Sequence, residues 1–244
     1  MSAFVHNHYG TMPVAQAREE ARVAFLRQVG IKTAGSLLIT AVAAVAMMAM
    51  ILNGPAILTQ RWVMLGIMLG GIYGAQFIGN SMTASPDASK QTAGFVIGSA
   101  LSGVAISYVL LQAAAVSAGA FGNPYNLMLQ AGGLVGLTFV GMVMFLMTGP
   151  KELNWLRAGM SVMFLPMLGL MALTWFFPVG GTMGLVFSGI FVVVSAGGLL
   201  YSLNSVMHTM TTTQSTAAAF AISSGLVILF WNVIVLLMRL TSRD

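Results

Sequence analysis

Seven blocks of about 20 apolar residues, divided from one another by helix breakers, constrain this chain more than any other feature. They run over 33–52, 62–82, 93–117, 127–147, 156–176, 183–206 and 216–238. About 20 helical residues cross the hydrocarbon core of a bilayer. No water reaches backbone groups there, so a spanning segment must be a helix or part of a closed barrel. No stretch alternates polar and apolar residues as barrel strands do. The expected fold is all-α: a polytopic membrane protein with seven transmembrane helices in one bundle. The separators "NGPAILTQR", "SPDASKQ", "FGNPYN", "TGPKELN", "FPVGGT" and "HTMTTTQ" carry the residues that end or cap helices.

Composition agrees. Charged residues make up 6% of the chain, against about 25% in a soluble domain, so it cannot cover a water-facing surface. The absence of cysteine excludes disulfides and thiolate metal sites. The net charge of +5 is scattered among loops and forms no stripe, which argues against nucleic acid as a partner. Its asymmetry sets orientation instead. With the N-terminus inside, that face holds Arg18, Arg22, Arg27, Lys32, Lys90, Lys151 and Arg157. The other face holds Arg61, Arg239 and Arg243, so the expectation is N-inside and C-outside.

The first 32 residues lack the apolar core of a secretory signal. They read as a cytoplasmic arm (1–32) with a short amphipathic helix, followed by a transmembrane domain (33–240) and a tail (241–244). Val14, Ala21, Phe25 and Val29 are expected to form an apolar face on the membrane surface.

An absence is as informative as the spans. Glu19, Glu20, Asp87, Glu152 and Asp244 all fall in a terminus or loop, and no ionisable residue lies mid-span. Proton relays and cation pathways normally use one there. The same gap removes Ser-His-Asp chemistry and metal sites of the His/Asp/Glu type, so neither an enzyme nor a cofactor is expected.

Glycines recur at spacing four: Gly66, Gly70 and Gly74, then Gly94 with Gly98 and Gly132 with Gly136. Small residues on one face let helices approach closely in lipid, within the bundle or against a partner. The 20 methionines include a row, Met160, Met163, Met167 and Met171, best read as packing rather than Cu(I) ligation. His6 and His8 are too few for a specific metal site, and His208 reads as part of a hydrated, threonine-rich turn.

"TGPKELNWL", "GLLYSLNSVMH" and "GLVILFWNVIVLLMRL" together resemble the Bax-inhibitor proteins, in particular their bacterial inner-membrane branch. Lys151, Glu152 and Leu153 fall on that family's charged loop, Tyr201 on its sixth span, and Asn232 and Arg239 on its seventh. The resemblance implies a calcium or proton leak gated by two intramembrane acids. Here those positions are Ser202 and Leu229. The expectation is therefore a non-catalytic regulatory or accessory subunit, with membrane lipid and other integral membrane proteins as partners. A membrane protease or a respiratory-type complex would suit. A leak channel is the alternative and a small-molecule transporter a weaker one. The expected setting is a bacterial inner membrane, with a mitochondrial inner membrane as the alternative.

Overall fold

A computed structural model describes residues 13–147 and 181–242. Among them are six helices long and apolar enough to cross a membrane. They are α1 (Glu19–Asn53), α2 (Arg61–Thr83), α3 (Ala88–Phe121), α4 (Asn126–Met147), α5 (Gly181–His208) and α6 (Ser215–Thr241). The described residues contain no strand, only an isolated bridge between Pro13 and Thr211. The expected span over 156–176, with its methionine row, lies outside the described residues, as do Lys151, Glu152 and Leu153.

The helices overrun the apolar blocks because a helix needs its own hydrogen bonds, not lipid, to continue. At 35 residues α1 is about 50 Å long, well beyond the bilayer core. The basic segment before Thr33 is thus continuous with the first span. This corrects the expected membrane-surface face. Phe25 and Val29 lie on the same stripe as Thr33, Ser36, Thr40 and Ala44, and all six are buried in the protein. Val14 is wholly buried as well, and its N–H donates to the Met210 carbonyl at 2.9 Å. Ala21 alone of the four is exposed.

Contacts divide the described chain into two compact units. The first holds the residues up to Tyr108 together with Ser205–Val227. Close packing surrounds the Phe220 ring, which is 1% exposed. A methyl group added at Gly98 would sit 2.6 Å from that ring, and one at Gly79 would strike it too. Along α2 the buried positions are Gly71, Ala75, Gly79 and Thr83. Steps of four overshoot an α-helical turn by about 40°, so such a stripe drifts round the helix. A π-helical turn at Ala75–Gly79 winds more slowly and returns the stripe to the same side.

The close approach therefore runs through Gly71, where an added Cβ would lie 2.9 Å from both the Leu101 carbonyl and the Ala105 methyl. Among the described residues nothing lies within 4 Å of such a Cβ at Gly66 or Gly70, while one at Gly74 would meet Leu101 at 3.2 Å. Gly70 and Gly71 are adjacent, so the sequence offers two small-residue stripes about 100° apart. The π turn favours the later one.

The second unit holds the described residues from Val109 to Asn204 and from Ile228 onward. Its hairpin between α3 and α4 turns at Gly122, with φ +67°, a conformation that favours glycine. Ser117 binds across the turn, donating to the Asn123 carbonyl at 2.6 Å and accepting from the Leu127 N–H at 3.3 Å. Leu127, Ala131 and Val135 form the buried stripe of α4, while Leu129 and Leu137 are left for lipid.

Two substitutions separate the glycine stripes. Gly98→Ala presses a methyl into the Phe220 ring, and overpacking of this kind costs about 1–3 kcal/mol. Its thermal unfolding midpoint in mild detergent should fall. Gly70→Leu should leave that midpoint within about a degree of wild type, because Gly70 faces open space.

Candidate functional site

Ser202 and Leu229, expected from the resemblance to stand where the family has its acids, both lie in the second unit. The Ser202 hydroxyl donates to the Gly198 carbonyl one turn earlier, at 2.9 Å. That bond spends its single proton within its own helix. Leu229 is 1% exposed and forms part of the apolar core. Tyr201 is partly exposed, and Asn204 is 5% exposed. Asn232 donates to the Ile228 carbonyl at 3.0 Å, again within its helix. Arg239 stands in the last turn of α6, where a cation suits the negative end of the helix dipole.

The described acids stand at helix starts. Glu19 and Glu20 fall in the first turn of α1, the favourable end for negative charge. Asp87 precedes α3, and its Oδ1 accepts the Ser89 N–H at 2.9 Å in the manner of an N-cap. Among the described residues no three His, Cys, Asp or Glu side chains come together.

His208 closes α5, and the turn after it is rich in hydroxyl bonds. Ser205 and Thr209 meet at 2.8 Å, as do Thr211 and Thr213. The Gln214 side chain accepts the Thr211 N–H at 3.2 Å. This loop also receives the Val14 N–H, which ties it to the N-terminal segment.

The most concentrated polar feature is a buried hydroxyl cluster in the first unit, joining α1, α3 and α6. Ser36 Oγ lies 2.7 Å from Ser99 Oγ and donates to Ser223 Oγ at 2.8 Å. Ser223 donates in turn to the Phe220 carbonyl at 3.0 Å. The Ser99 proton is divided between Ser36 and the Phe95 carbonyl, which lies at 2.6 Å. Thr40 adds a bond from α1 to the Ser99 carbonyl at 3.0 Å. All four residues are buried. Gly103 permits the close approach, since a side chain there would run into the Thr40 carbonyl.

Among the described residues these hydroxyls bond to one another and to backbone carbonyls, an arrangement that holds helices together. Sequence reading missed it. The signal was Thr33, Ser36 and Thr40 at helical spacing in the first span, which names a polar face but no partner for it.

Residues 22–242 match the family described as Inhibitor of apoptosis-promoting Bax1. The match covers nearly the whole chain, and the protein belongs to that family, the Bax inhibitors. None of the curated proteins matches it. Membership and the six apolar helices make it an integral membrane protein.

Ser36 sits at the centre of the cluster, and its removal breaks both bonds that join Ser99 and Ser223 to α1, leaving each hydroxyl bonded only within its own helix. Ser36→Ala should cost about 1–3 kcal/mol of stability, read as a lower unfolding midpoint in detergent. Adding Ser99→Ala and Ser223→Ala should cost less than the sum of the three single losses, because the three hydroxyls share the same bonds. Additive losses across the three would exclude the shared network.

Proposed function

We propose that this protein is a non-catalytic regulatory or accessory subunit that acts by binding other integral membrane proteins. One observation carries the reading. Where relatives are expected to hold a titratable acid pair, this chain has a serine bonded to its own helix and a leucine sealed in the core. An ion path needs ligands for the ion, and a pH gate needs a group that titrates. A hydroxyl whose proton is already committed and a buried isobutyl group supply neither.

The outward stripe of α2 suits the binding role. Gly66 and Gly70 leave a shallow floor, flanked along the helix by the exposed rings of Trp62, Tyr73 and Phe77. A partner's transmembrane helix can approach a backbone closely over such small residues. A membrane protease or a respiratory-type complex fits this role, in a bacterial inner membrane with the N-terminus inside. A mitochondrial inner membrane is the alternative.

Purified protein in liposomes should show no calcium flux above empty vesicles between about pH 6 and pH 8, the range over which a carboxyl raised by burial titrates. Ser202→Asp combined with Leu229→Asp is the variant expected to create a pH-dependent leak. A robust wild-type flux that survives Ser202→Ala would overturn the accessory reading.

Orientation is tested on the naturally cysteine-free chain. A cysteine at Ser85 should resist an impermeant thiol reagent in intact cells, and one at Asn123 should react. The reverse pattern would invert the topology.

A further inference from the structure

We infer that Lys32 of α1 and the first residues of α6 form a binding site for a phosphate group, carried by an anionic phospholipid headgroup. The Lys32 ammonium donates to Ser215 Oγ and to Thr216 Oγ1, each at 2.8 Å. Both partners are neutral, and among the described residues no carboxylate pairs with this charge. Ser215 and Thr216 open α6, and the first N–H groups of a helix have no acceptor within it. A cation therefore stands against the positive end of a 27-residue helix. The two repel unless an anion lies between them. An ammonium, two hydroxyls and helix-terminal amides are the donors that hold a phosphate.

Thr33 supplies a second, independent indication. Its side chain is 7% exposed and its Oγ1 has no hydrogen-bond partner among the described residues. Buried hydroxyls in native proteins are nearly always paired. Thr33 lies on α1 between two levels where that helix is bonded to α6. Below it Lys32 reaches Ser215 and Thr216, and above it Ser36 reaches Ser223. A phosphate oxygen held by Lys32 would give the Thr33 hydroxyl an acceptor.

Depth selects the source of the phosphate. From Thr33 to Asn53, α1 covers about 30 Å, the thickness of the hydrocarbon core. The apolar run of α6 likewise starts just after Thr216. Lys32 and Ser215 thus mark one boundary on two different helices, at the level where headgroup phosphates lie. Lys32 and Thr216 are partly exposed, so the site is open, and Ile31 and Leu38 offer exposed apolar surface for acyl chains on α1.

The test uses delipidated full-length protein in a neutral detergent, with thermal unfolding followed during titration. The probes are short-chain phosphatidylglycerol, a neutral glycolipid with the same chains, and inorganic phosphate. Phosphatidylglycerol should raise the midpoint by several degrees and the glycolipid should not. Lys32→Gln should weaken the response about tenfold, and Lys32→Arg should keep it. Thr33→Val, nearly isosteric, should unfold no earlier than wild type without lipid yet respond less to phosphatidylglycerol. If inorganic phosphate reproduces the whole shift, the site stands and its lipid source is overturned. Equal shifts with phosphatidylglycerol and glycolipid, or a response unchanged in both Lys32→Gln and Thr33→Val, overturn the site itself.

Discussion

Inside hydrocarbon every polar group must find its partner within the protein, because water is not there to serve as one. The described structure follows from that constraint. Backbone groups are satisfied by six long helices, and side-chain hydroxyls by the cheapest local acceptor, a carbonyl one turn back. Ser102, Ser188 and Ser202 all use it. Ser36 instead bonds to Ser99 and Ser223 on two other helices, and there the same requirement becomes a tertiary contact.

This distinction governs the acid-pair positions. A serine can be made self-sufficient at membrane depth, as Ser202 is, and its site then needs neither water nor a counter-ion. A carboxylate has no proton to give and must be met by donors or a cation, at an insertion cost of at least about 2.5 kcal/mol. Neither Ser202, bonded within its own helix, nor Leu229 gives water a reason to enter. Leu229, 1% exposed, occupies its position as ordinary apolar core. Family membership therefore fixes the fold more firmly than it fixes the activity.

Span-by-span organisation was legible in the sequence because hydropathy acts residue by residue and needs no knowledge of neighbours. Partner choice does need it, and there the reading faltered. Gly70 and Gly71 look alike in sequence, and only the π turn over Ala75–Gly79 and the close approach of Leu101 and Ala105 decide which of them is pressed. Val14, Ala21, Phe25 and Val29 are expected on the membrane surface, yet all but Ala21 are buried in the protein. No local signal distinguishes a face that meets lipid from one that meets protein, since both reward the same side chains. The hydroxyl cluster was invisible for a related reason: Ser36, Ser99 and Ser223 are far apart in the chain, and each alone resembles a serine bonded to its own helix.

The hydroxyl-lined stripe of α1 raises the question of whether a cation path runs along it. Electrostatics argues against it. Hydroxyl oxygens carry no net charge to offset the desolvation of a calcium ion, and the protons of Ser36 and Ser223 are already committed to acceptors. Lys32 stands at one end of that stripe with its ammonium held in place by two bonds. A divalent cation within about 4 Å of it meets roughly 8 kcal/mol of repulsion at an effective dielectric of about 20. Such a barrier slows entry by about 10⁶-fold, since each 1.36 kcal/mol is a factor of ten. The same charge that turns away calcium draws in an anion, so the polar residues of α1 and α6 fit a phosphate held at the membrane boundary better than a cation crossing it.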